Sequence, residues 1–192
     1  MTLEHVVRMR GARGEGQDRI ATVPCAGGLR IVLADGAGGT ARGGEAAQRV
    51  VDRLSAGVDV DTLDDELAAL GGQSTVVAIE IAGDSIRGAS VGDSEAWIVG
   101  ARGQIEVLTA HQYLKPLLGD GGIAVAFAGA LAGGTLVVGS DGLFKYVKRE
   151  VIVAACARHD LAEVADALLA ATELPGGGLQ DDVSLVICRA AG

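Results

Sequence analysis

Apolar residues along this chain follow two rhythms. Residues 29–34 (LRIVLA) and 135–139 (TLVVG) are apolar runs that stop abruptly at Asp35-Gly36 and at Ser140-Asp141-Gly142. Runs of that length, rich in β-branched residues and bounded by glycine, read as buried strands. Residues 3–9, 18–23 and 183–188 also have strand character. Between 74 and 108, four segments (74–81, 85–91, 96–99 and 105–108) are joined by Gly-Asp, Gly-Asp-Ser and Ala-Arg-Gly-Gln turns, which predicts an antiparallel meander.

Elsewhere the rhythm is helical. Ala46, Ala47, Val50, Val51 and Leu54 recur at helical spacing up to Gly57, and Leu63, Leu67 and Leu70 share one face behind Asp61 as a candidate N-cap. Two more helices are expected over residues 143–157 and 161–171, the second capped by Asp160. Residues 109–134 are rich in Gly and Ala and hold at most one short strand. Strands, a helix pair, strands, a helix pair and a last strand predict an α+β fold. The expected arrangement is a four-layer α/β/β/α sandwich, two antiparallel sheets flanked by helices, in a single domain over residues 1–192.

Composition narrows the partners. The apolar fraction is 49% but aromatics are 3%, so the core must be built from Val, Leu, Ile and Ala. A net charge of −9 repels nucleic-acid phosphates and anionic bilayers, which argues against either as a partner. The same carboxylates could hold divalent cations or merely confer solubility. Cys25, Cys156 and Cys188 lie far apart and read as buried reduced thiols, and His5, His111 and His159 lack zinc-site spacing. Neither a leader-like N-terminus nor an apolar run of roughly 18 residues occurs, so a cytoplasmic location is expected.

The chemistry concentrates in a recurring local pattern. Ala34-Asp35-Gly36, Val91-Gly92-Asp93-Ser94 and Ser140-Asp141-Gly142 each place an aspartate where an apolar strand ends, and Asp181-Asp182 opens the last one. Asp-Gly is also a common turn dipeptide, so each turn alone would be structural. If the strands lie side by side, however, carboxylates from four distant segments meet, and their repulsion calls for cations between them. An all-oxygen set of carboxylates, a carbonyl and water selects hard ions such as Mg²⁺ or Mn²⁺.

Taken together, these segments resemble the metal-dependent protein phosphatases, the type 2C serine/threonine phosphatase family. Leu33-Ala34-Asp35-Gly36-Ala37-Gly38-Gly39 is similar to that family's Asp-Gly-x-Gly-Gly turn. Gln73-Ser74-Thr75-Val76-Val77 is similar to its Gly-Ser-Thr strand and Val91-Gly92-Asp93-Ser94 to its Gly-Asp-Ser turn. Gly139-Ser140-Asp141-Gly142-Leu143 is similar to its Ser-Asp-Gly motif, and Asp181-Asp182-Val183-Ser184 stands at its Asp-Asn-x-Thr.

The resemblance implies two Mn²⁺ or Mg²⁺ ions that activate water against a phosphoserine or phosphothreonine of a protein substrate, itself the target of a serine/threonine kinase. It further implies that Asp35 bridges the ions, the Gly36 carbonyl ligates one, and Asp141 and Asp181 hold the other. Asp93 would join Asp141 at a third-metal position found in bacterial members. Arg13 would bind the substrate phosphate, and Asp18 would hydrogen-bond metal-bound water. The catalytic set is thus Asp35, Arg13, Asp141 and Asp181. Ala37 stands where many eukaryotic members have His, Asp182 replaces Asn, and Glu95 follows Ser94 in place of the family's frequent Arg. The stretch between Ser94 and Asp141 is short for the family, and the missing length falls in its substrate-choosing flap.

Other readings fit less of the chain. Gly36-x-Gly38-Gly39 before a helix could cradle a nucleotide phosphate, but it lacks the Gly-Lys-Ser/Thr of a P-loop. Ser74, Ser94 and Ser140 lack the Gly-x-Ser-x-Gly setting of a serine hydrolase. His111 and Lys115 would share a helical face as a solvated pair, and Trp97 reads as core. The rival of another class is a catalytically silent phosphatase-like regulatory binding module.

Overall fold

The computed structural model describes residues 2–37 and 42–191. Among them ten strands form two five-stranded antiparallel sheets. The first sheet runs in the order β1 (Leu3–Arg10), β10 (Val183–Ala190), β9 (Thr135–Gly139), β6 (Glu95–Val99), β7 (Ile105–Val107). The second runs β2 (Arg19–Cys25), β3 (Gly28–Ala34), β4 (Val76–Ala82), β5 (Ser85–Val91), β8 (Val125–Ala130). Helices α1 (Gly43–Ser55) and α2 (Leu63–Leu70) cover the second sheet. The short α3 (Asp141–Phe144), α4 (Arg149–Cys156) and α5 (Leu161–Ala171) cover the first. The layers are those of the predicted α/β/β/α sandwich.

The apolar runs have a simple cause: their strands are buried on both faces. In β3, Ile31 and Leu33 enter the core between the sheets, while Val32 and Ala34 pack under α1. In β9, Leu136 and Val138 face the other sheet and Val137 faces α4 and α5. Full burial of one such side chain is worth roughly 1.5–3 kcal/mol. A one-residue slip would draw the polar Asp at the strand end into the apolar core, which disfavours it. Register here fixes where Asp35 and Asp141 emerge. Asp160 caps α5 as predicted, its carboxylate accepting from the Ala162 amide at 2.7 Å.

Four expectations need correction. The meander over 74–108 is broken: β4 pairs with β5, but β6 crosses into the first sheet and pairs with β9 and β7. The reason lies in β6 itself, where Ala96 and Ile98 fill the inter-sheet core and Trp97 and Val99 pack under the helices. Such a strand needs cover on both faces, whereas β5 keeps Arg87 exposed. Gly92, at φ +97°, makes the crossing turn.

Secondly, the expected helix over 143–157 is two helices. Lys148 is extended (φ −66°, ψ 146°), and the break lets Val147 and Ile152 enter one core. Thirdly, Asp61 does not cap α2; Thr62 occupies that place, and Asp59 caps a 3₁₀ turn over Val60–Thr62 by accepting from the Asp61 amide. Lastly, residues 109–124 form no helix, so His111 and Lys115 share no helical face. Trp97 is core, 3% exposed, with its indole donating to Glu95.

Candidate metal centre

Strands β3 and β9 end on the same side of the sandwich, and the β5–β6 turn crosses between the sheets there. That convergence gathers carboxylates more than a hundred residues apart. Asp35, Asp93 and Asp141 each offer an oxygen, all within 4.8 Å of one another. Asp181, at the foot of β10, lines the same cleft of about 700 Å³, as do Gly36 and Arg13. Asp181 stands outside the tight trio.

Local bonds hold each carboxylate in place. Asp35 is clamped through its backbone: its amide donates to Thr75 Oγ1 at 3.1 Å, and its carbonyl accepts from the Thr75 amide at 2.8 Å and Ser74 Oγ at 3.0 Å. Thr75 Oγ1 lies 2.8 Å from Ser94 Oγ, so one hydroxyl ties the Asp35 turn to the Asp93 turn. Gly36 is obligatory, since a Cβ there would stand 2.3 Å from the Gly43 carbonyl at the start of α1. Gly38 and Gly39 of the expected phosphate-cradling turn lie outside the described residues. Ala37 lines the cleft and its amide donates to the Gln73 carbonyl at 3.0 Å.

The N-terminal residues expected at the site also arrive. Asp18 is 4% exposed; its Oδ2 accepts from Ser184 Oγ at 2.6 Å, while Oδ1 is buried and finds no donor among the described residues. Arg13 is on the loop between β1 and β2, lining the cleft. That loop is held by Asp182, whose two oxygens accept from the amides of Ala12 at 2.7 Å and Gln17 at 2.6 Å. An asparagine could offer only one acceptor oxygen here. Asp182 thus serves the Arg13 loop, a role that its neighbour Asp181 obscured in the sequence.

One residue beside the cleft escapes sequence reasoning, and another, Lys115, reads there as a solvated partner of His111. Lys145, at the end of α3, donates to Asp93 Oδ2 at 3.1 Å and makes a second, shorter ion pair with Asp141 Oδ2. The i,i+4 spacing from Asp141 was the available signal. Lys115 lines the cleft from the connection between β7 and β8. That connection is pinned by an Asp64 carboxylate accepting from the amides of Gly119, Gly121 and Gly122, and by a Ser74–Leu118 bridge.

The crowded carboxylates shift one another. Desolvation first, then the negative charges of Asp18 and Asp141, push Asp35 up to about 9. Burial raises Asp18, and burial followed by the charge of Asp141 raises Asp181. Protons or cations must therefore be shared among these groups. Hard divalent ions meet that need, because every donor is oxygen and the buried Asp18 Oδ1 still has an unused lone pair.

By sequence, no family model and no curated protein matches the chain. Solved structures do. A bacterial serine phosphatase superposes with a TM-score of 0.84 at 20% identity, covering 100% of this chain and 99% of that one. The Mycobacterium tuberculosis serine/threonine phosphatase PstP/Ppp superposes at 0.82 with 24% identity, covering 100% of both. The catalytic domain of PstP in complex with two manganese ions gives 0.78 at 25% identity, covering 97% of each chain. The fold of this chain is that of the bacterial type 2C serine/threonine phosphatases.

Proposed function

We infer that this chain, which shares the metal-dependent type 2C phosphatase fold, hydrolyses phosphoserine and phosphothreonine on proteins with two Mn²⁺ or Mg²⁺ ions. The convergence of Asp35, Asp93 and Asp141 within 4.8 Å carries the reading. In this account Asp35, the Gly36 carbonyl, Asp141 and Asp181 hold the ions, which when bound lower the pKa of water and offset charge on the phosphoryl group. Asp18 orients a water by accepting its hydrogen bond. Arg13, whose planar guanidinium matches two phosphoryl oxygens, binds the substrate and stabilises the charge that develops. Ala37 has no proton to donate, so the leaving serine or threonine oxygen takes its proton from water.

The test is hydrolysis of a phosphoserine peptide and of p-nitrophenyl phosphate by the purified chain. Turnover should require Mn²⁺ or Mg²⁺, vanish with chelator, and fall at least about 100-fold in Asp35→Ala. Metal-independent turnover, or none in a folded chain that binds Mn²⁺, contradicts it. The second outcome would leave a silent binding module.

A further inference from the structure

We propose that the Lys145 ammonium is a resident cation of the acidic cleft, seated between Asp93 and Asp141 where a further divalent ion would otherwise bind. This rests on the metal-dependent reading above. The two carboxylates expected to share a third ion both accept from the Lys145 ammonium. The contact is built into the chain: Asp141 opens α3, the Lys145 amide donates to the Asp141 carbonyl at 2.8 Å, and one helical turn brings the ammonium over both carboxylates. No other lysine or arginine among the described residues is ion-paired within this cluster.

The chemistry of the two cations differs. A divalent ion binds in exchange with solvent and is lost to a chelator, whereas the ammonium is covalently tethered and always present. It offers three N–H donors, two of them used here, and half its side chain is exposed. It cannot activate water as a metal does. Its effect is to offset the charge of Asp93 and part of that at Asp141, leaving Asp35, Asp141 and Asp181 to hold the ions. A Mn²⁺ ion at Asp93 would have to displace a tethered group from two charge-assisted bonds. The inference is therefore that this chain binds one ion fewer than its carboxylates could accept.

Equilibrium dialysis against saturating Mn²⁺, with metal and protein quantified, tests it in the full chain. The wild type and Lys145→Arg should bind two ions per chain and Lys145→Gln three. Three ions in the wild type, or two in Lys145→Gln, would overturn the inference while leaving the dimetal reading intact. No bound ion in any of them would instead remove the dimetal reading itself. Because Lys145→Gln could fold poorly, a second measurement uses the unaltered protein. The ¹⁵Nζ resonance of Lys145 should stay at its ion-paired position when Mg²⁺ saturates the chain. Movement to the position of a free lysine would overturn the inference.

Discussion

Asp18 and Arg13 serve the site in different ways, and each predicts its own failure. Asp18 is buried with one oxygen unpartnered, so Asp18→Asn should cost about 10–100-fold in metal affinity or turnover. Arg13 makes no hydrogen bond or ion pair to the protein among the described residues, so Arg13→Ala should leave stability unchanged. Its loss should raise KM about tenfold or more, as expected of a charge-assisted pair to phosphate. Steady-state kinetics on a phosphopeptide decide this, and an unchanged KM would count against its role. At this scale much of the site was legible. Asp35, Asp93 and Asp141 announce themselves because each ends or leaves an apolar strand beside glycine. Lys145 did not, because Phe144-Lys145-Tyr146 reads as ordinary helix surface until the start of α3 at Asp141 is known. In the sequence Asp182 is only a departure from asparagine, and the fold shows it gripping two amides of the Arg13 loop.

The connection between β7 and β8 holds Lys115 and Leu117 against the cleft because Asp64, from the first turn of α2, satisfies three of its amides. Removing that carboxylate orphans all three donors. Asp64→Ala should therefore cost about 1–3 kcal/mol, lowering the melting temperature by roughly 2–10 °C. Faster amide exchange at Gly119 and Gly122 would accompany it; unchanged exchange there would show that the loop is held otherwise. Strands buried on both faces were predicted almost to the residue, because two-sided burial leaves a continuous apolar run. Pairing was less legible. A Gly-Asp-Ser turn looks alike whether it closes a hairpin or crosses between sheets, and only the two-sided burial of β6 decides between them. Strand β8 (VAFAGA) is small and weakly patterned, so it was legible as a possibility and no more.

For the whole molecule, the acidic cleft links pH, metal and stability. Asp35 is raised in the folded chain, so its contribution is fully present below an ordinary carboxylate pKa near 3.9 and lost as pH rises toward about 9. Asp18 and Asp181 are raised in the same direction. Glu66 and Asp166, lowered by hydrogen bonds from Arg49 and Arg8, act oppositely, but their contribution is complete by about pH 5. In chelator, the melting temperature should fall by roughly 5 °C or more between pH 5 and pH 9, and Mn²⁺ should abolish the slope. A chelated protein whose stability is flat or rises over that window would contradict the charge crowding described here. Among the described residues no helix is long and apolar enough to cross a membrane. Anomalous diffraction at the manganese edge, from crystals grown with Mn²⁺, tests the dimetal centre itself. Two peaks should lie in the cleft on either side of Asp35, one beside the Gly36 carbonyl and one beside Asp141 and Asp181. Ordered carboxylates with no peak among them, or manganese bound only elsewhere on the surface, would contradict it.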